Sequence, residues 1–167
     1  MKSIPDILRA LSDEGVEFVL VGGFAVQLHG FVRTTLDLDL ALAMDEPNLT
    51  RFIAVARRFS LAPVIPAAIE SLKDAALVEQ WHREKGMLAF ALREPQAAGS
   101  VIDVLVRPDV PFETLLAGAD TVNLFGRRIR IASLVHLIDM KRIANRPKDR
   151  IDVEALEKIQ RGESPYV

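Results

Sequence analysis

The chain has 167 residues, half of them apolar and 26% charged, with a formal net charge of −2. That size and mix predict one soluble globular domain, residues 1–167, and exclude a surface that coats nucleic acid in general. The absence of cysteine excludes disulfides, zinc–thiolate sites and thiol catalysis, and three scattered histidines (His29, His82, His136) give no histidine metal site.

Ser3, Pro5 and Asp6 open a first helix as cap, first-turn proline and N-terminal acid, with Ile4, Ile7, Leu8 and Leu11 on one stripe and Gly15 past its end. Residues 17–21 read as an apolar strand ending in Gly22-Gly23, and residues 24–29 as a short helix closed by Gly30. Residues 36–43 alternate without a break, so Leu36, Leu38, Leu40 and Leu42 share one side and Asp37 and Asp39 the other. Pro47 starts a helix whose face carries Leu49, Phe52, Ile53 and Ala56, with Arg51, Arg57 and Arg58 on the wet side. Residues 61–85 are broken by Pro63 and Pro66; a helix is predicted from about residue 74 to 84, with Trp81 as a packing anchor.

Residues 87–93 and 100–107 read as two strands of a hairpin joined through residues 94–99. A short helix follows at 112–117, then a small hairpin of 121–124 and 127–131 about Phe125-Gly126. Ser133 caps a helix running to Ala144, and a last helix runs from Pro147 to Gln160. The fold class is therefore α/β (α+β): a mixed sheet of about five strands, with helices on the face opposite the acids. No apolar run approaches the roughly 20 residues of a bilayer span. The N-terminus shows no basic region followed by an apolar stretch, so the cytoplasm is the expected compartment and no membrane partner is expected.

Three features carry chemistry. Asp37 and Asp39 lie roughly 7 Å apart along one strand face, where two carboxylates repel and a divalent cation is the simplest compensation. Asp103 sits inside the apolar run 101–106, where a buried carboxylate must be paired or bound to metal. Gly22-Gly23 lets backbone approach a phosphate with helix N–H groups aimed at it. Arg33, a few residues before the acids, is placed either to reach a phosphate or to pair with an Asp. Residues 121–150 gather eight Lys and Arg against Asp139 and Asp149, either a solvated face or a receiver of triphosphate or nucleic-acid backbone. No Gly-x-Gly-x-x-Gly and no Gly-x-x-x-x-Gly-Lys-Ser/Thr occurs.

The order Gly22-Gly23, thirteen intervening residues, Asp37-Leu38-Asp39 and then Asp103 resembles the nucleotidyltransferase superfamily of the polymerase beta type. Val21-Gly22-Gly23-Phe24-Ala25, residues 29–35, Met140-Lys141-Arg142 and Arg146-Pro147-Lys148-Asp149 look like its small prokaryotic branch, related to toxin–antitoxin and abortive-infection proteins. The resemblance covers about residues 16–157. It implies a nucleotidyltransferase-like fold and a Mg²⁺-dependent transfer of a nucleoside monophosphate from a nucleoside triphosphate to a hydroxyl of protein, RNA or a small molecule. In that reading Asp37, Asp39 and Asp103 hold one or two Mg²⁺ ions, and Asp103 also accepts the proton of the attacking hydroxyl. Gly22 and Gly23, with Arg33 or Lys141, hold the phosphates, and a cognate antitoxin is an implied partner. The alternative is a catalytically inactive nucleotide- or partner-binding protein of the same fold.

Overall fold

The computed structural model describes residues 3–95 and 101–166; most of the connection expected at 94–99, and the expected strand start at Ser100, lie outside them. Helix α1 (Ile4–Asp13) begins at a capping box, the Ser3 hydroxyl accepting from the Asp6 N–H while the Asp6 carboxylate accepts from the Ser3 N–H. Strand β1 (Phe18–Val21) is buried along its whole length and leads into α2 (Gly22–Leu28) without an intervening loop. Strand β2 (Leu38–Leu42) and helix α3 (Glu46–Arg58, capped by Asp45) follow. Asn48, fully buried in α3, donates to the carbonyls of Glu17 and Ala43 and accepts from the Glu17 N–H. One satisfied amide thus ties the start of β1 to the end of β2.

Residues 61–85, broken by two prolines, form a two-residue strand β3 (Ala62–Pro63), a 3₁₀ turn (Ile69–Lys73) and α4 (Ala75–Lys85). Trp81 does pack, stacking on Phe90 at a ring distance of 6.1 Å. Strands β4 (Ala89–Arg93) and β5 (Ile102–Leu105), helix α5 (Phe112–Ala117), strands β6 (Asp120–Leu124) and β7 (Arg127–Ile131), and helices α6 (Leu134–Ala144) and α7 (Pro147–Gln160) complete the order.

The described strands form one mixed sheet in the order β3-β4-β5-β2-β1-β7-β6. It has seven strands rather than about five. The small hairpin is not separate: Ile129 and Ile131 are buried, and β7 lies parallel to β1 with Ile131 opposite Leu20, so its apolar face is covered by joining the main core. Helices also cover both faces rather than one. Phe18, Leu20, Leu38, Leu40, Leu42, Phe90, Ile102 and Val104 point into a layer with α1, α3 and α4. The alternate residues Val19, Val21 and Ala41 point into a second layer with α2, α5, α6 and α7, as the two-residue pleat requires. Leu40 is fully buried, and truncation to Ala there costs about 2–5 kcal/mol.

The expected strand 36–43 is shorter at its start. Leu36 lies outside β2 and is 69% exposed, so the apolar face begins at Leu38 and Asp37 stands just before the strand.

Candidate active site

Strands β2 and β5 run parallel with Asp39 directly opposite Asp103, so the pleat sends both carboxylates to the same face, on strands about 4.8 Å apart. On the other side of β2, Val21 is the partner of Asp39, and the chain turns there into α2. Gly22 has φ +64°, and a Cβ on it would lie 2.0 Å from Asp39 Oδ2. Glycine is thus required for the backbone angle and for the close approach of the carboxylate. The Gly23 N–H donates to Asp39, so the glycine turn positions the acid as well as shaping the pocket floor. A Cβ on Gly23 would meet Arg33 Nη1 at 2.4 Å and Thr35 Oγ1 at 2.9 Å.

The three predicted acids line one polar pocket of about 100 Å³, which Gly22, Gly23, Arg33 and Lys141 also wall. Its negative charge is under-compensated. Burial and then the neighbouring Asp39 and Asp37 push the Asp103 carboxyl up to about 6, opposed by Lys148. Burial also raises Asp39, against the pull of Lys141, with Asp37 adding to the rise. Carboxylates crowded this way favour a proton or a cation. Among the described residues, no group of three or more acidic or histidine side chains gathers closely enough to enclose a metal by itself. The oxygen-only set of two carboxylates in register, with Asp37 at the margin, fits a Mg²⁺ ion whose remaining ligands are water and phosphate oxygens.

Behind the pocket lies a buried ion network that the sequence did not reveal. Lys141 Nζ is 3.1 Å from Asp149 Oδ1 and 2.8 Å from Asp152 Oδ2, and Arg33 Nε is 3.2 Å from Asp152 Oδ1. Arg146 Nε donates to Asp149 at 2.6 Å. Burial pushes Asp149 up, but hydrogen bonds from Arg146 and Lys141 outweigh it and hold the carboxyl below its ordinary value. Arg33 and Lys141 therefore do reach the pocket wall, yet each is engaged by α7 carboxylates. Arg33 pairs with an Asp, but with Asp152 and not with Asp37 or Asp39. Arg146 and Lys148, which the sequence shows only as part of the basic run 121–150, line the pocket, and both are exposed. Their signal was the Arg-Pro-Lys-Asp run, which places them at the start of α7 beside its own buried acids.

Other members of the basic run tie surface elements together: Arg127 to Asp13, Arg142 to Glu157 and Arg150 to Asn145. On the far side of Asp39 and Asp103 the pocket opens into a larger cleft of about 280 Å³ with apolar walls from Leu88, Leu105, Pro108, Leu137 and Met140. No helix among the described residues is long and apolar enough to cross a membrane.

The fold is of the nucleotidyltransferase type, as solved structures show. The lincosamide antibiotic adenylyltransferase LnuA, bound to lincomycin, superposes with a TM-score of 0.59 at 15% identity, over 92% of this chain and 93% of that one. ANT(2'')-Ia in complex with adenylyl-2''-tobramycin gives 0.56 at 15% identity, over 93% and 86%. An antigenic nucleotidyltransferase-like protein from Paracoccidioides brasiliensis gives 0.56 at 16% identity, over 93% and 72%. The chain has the nucleotidyltransferase fold. No protein-family model and no curated protein matches its sequence.

Proposed function

We propose that this protein is a Mg²⁺-dependent nucleotidyltransferase that moves a nucleoside monophosphate from a nucleoside triphosphate to an acceptor hydroxyl. The observation that carries the reading is the register pair Asp39–Asp103 set against the Gly22 turn, within a fold shared with adenylyltransferases. Asp39 and Asp103, with Asp37, would hold the metal, which when bound neutralises phosphate charge and lowers the barrier to displacement.

The remaining work falls to the chain. Lys148 and Arg146 attract the β- and γ-phosphates into the polar pocket, while Arg33 and Lys141 supply fixed positive charge from its wall. The acceptor hydroxyl approaches the α-phosphorus, and Asp103 takes its proton. The new oxygen–phosphorus bond forms as the bond to the α–β bridging oxygen breaks, and pyrophosphate leaves on the side of the basic residues. Positioning and electrostatics dominate such transfers.

The apolar cleft supports one acceptor class. It is of small-molecule size and lies beside both acids, which supports a hydroxylated small molecule of the kind the structural neighbours' antibiotics exemplify. A place in a toxin–antitoxin pair, with a protein or RNA acceptor, rests on the sequence resemblance alone. Incubation with each of the four triphosphates labelled at the α-phosphate, Mg²⁺ and a panel of hydroxylated acceptors tests the reading. Labelled product that disappears in Asp39→Asn is the expected result. Failure of every triphosphate to bind at millimolar concentration, read by titration calorimetry, overturns it.

A further inference from the structure

Residues 31–37 belong to no helix or strand, yet they carry Arg33, Thr35 and Asp37 to the pocket. A segment without a backbone ladder keeps its shape only if other groups satisfy its polar atoms. Gln27 Nε2 donates to the Arg33 carbonyl, and Asp152 holds the Arg33 guanidinium. The Phe31 N–H donates to the Val26 carbonyl and Thr35 Oγ1 to that of Asp37, and a further hold comes from far along the chain. Tyr166 Oη accepts from the Val32 N–H at 2.7 Å and donates to the Gly30 carbonyl at 3.1 Å. Its ring meets Phe31 at 5.8 Å. One phenol thus reads a donor and an acceptor on either side of Phe31 and fixes the direction in which the chain sets out toward Arg33.

We infer that Tyr166 is a positioning residue for the triphosphate: it touches no part of the pocket, and acts by fixing the segment that presents Arg33, Thr35 and Asp37. The inference rests on the nucleotide-binding reading above. Freed at Gly30 and Val32, the segment samples other paths, and the fraction of molecules presenting all three side chains falls. Apparent affinity falls by the same fraction.

The chain contains a single tyrosine, so ring-labelled tyrosine gives one reporter by NMR. The experiment titrates wild type and Tyr166→Phe with each of the four nucleoside triphosphates plus Mg²⁺ by calorimetry, and follows the labelled wild-type ring through the same titration. Tyr166→Phe keeps the ring on Phe31 and removes the two hydrogen bonds, and the side chain is largely exposed, so melting should fall by no more than about 2–5 °C. Affinity for the triphosphate that binds should fall about three- to tenfold, the range for hydrogen bonds of this kind, and the wild-type ring signal should shift on saturation. If wild type binds, but the variant binds equally or the ring signal stays put, Tyr166 has no positioning role and the nucleotidyltransferase reading survives. If no triphosphate binds wild type, both fall.

Discussion

Replacing Asp103 by Asn should stabilise the metal-free protein at alkaline pH and leave it unchanged in acid. Asp103 titrates at about 6 in the fold against an ordinary value of 3.8, first because it is buried and then because Asp39 and Asp37 repel it. The folded state therefore holds this proton more tightly than the unfolded chain. The stability that the bound proton confers is complete below the unfolded value, and is lost as pH rises through the folded one. Taken in full, the difference is worth about 3 kcal/mol; Asp103 is partly open to solvent, and screening reduces this to about 1–1.5 kcal/mol. Asn carries no charge at any pH, so Asp103→Asn escapes the penalty. In chelator, near pH 8, the variant should melt about 3–5 °C above wild type, and the gap should close by about pH 4. Added Mg²⁺ should reverse the order, since it stabilises the form that binds it. Melting curves in a pH series, with and without Mg²⁺, measure all of this. A variant that melts early near pH 8, or a gap that does not depend on pH, would refute the argument that burial and the neighbouring acids leave the Asp103 charge uncompensated.

Gly22→Ala should cost about 2–4 kcal/mol, from the left-handed backbone and the collision with Asp39 together, and should abolish transfer in the fraction that still folds; melting and the labelled-nucleotide assay check both parts. Lys141→Met leaves Asp149 and Asp152 buried with a partner missing and should cost about 3–5 kcal/mol, whereas Arg142→Ala, at an exposed pair with Glu157, should cost less than about 1 kcal/mol; urea unfolding of the two variants compares them. Lys148→Ala should melt with wild type, within about 0.5 kcal/mol, yet bind triphosphate about tenfold more weakly by calorimetry. Because Lys148 opposes the rise of Asp103, the acid limb of its pH–rate profile should move to higher pH.

The sequence was legible wherever a residue acts on its own neighbourhood. Ser3 and Asp6 announce the first helix, Pro47 the third, and Phe125-Gly126 a hairpin turn whose two residues do take positive φ. The alternation from Leu36 to Leu42 correctly set Asp39 apart from the apolar face. It could not show where the strand begins, because alternation continues past the point where a pairing partner ends: the first backbone bond to the β5 side runs from Leu38 to Val101. Pairings made only by tertiary folding were the illegible part. Nothing local marks Ile131 as a neighbour of Leu20. Nor does anything in a run of basic residues distinguish Lys141, buried between two acids, from Lys148, open at the pocket. Asp149 and Asp152 read as ordinary polar positions of a helix until α7 folds back on α6.

That fold-back explains how the pocket keeps two opposite charge environments side by side. On the sheet, Asp39 and Asp103 are raised, their charge unmet. On the helical side, three cations (Arg33, Lys141 and Arg146) share two buried carboxylates, Asp149 and Asp152, leaving an excess of positive charge. The direct remedy would be for Lys141 to pair with Asp39, which its charge already stabilises, but Asp149 and Asp152 hold it away. A ligand that bridges the gap must present a cation to the strands and an anion to the helices, and a metal-complexed triphosphate does both. The same logic predicts which repair would fail. Neutralising Asp152 would free Lys141 and Arg33 to approach Asp39, satisfying the strand acids from within. Asp152→Asn should therefore bind Mg²⁺ and triphosphate more weakly even where it folds. If affinity rises instead, the α7 carboxylates are not what keeps the acids available.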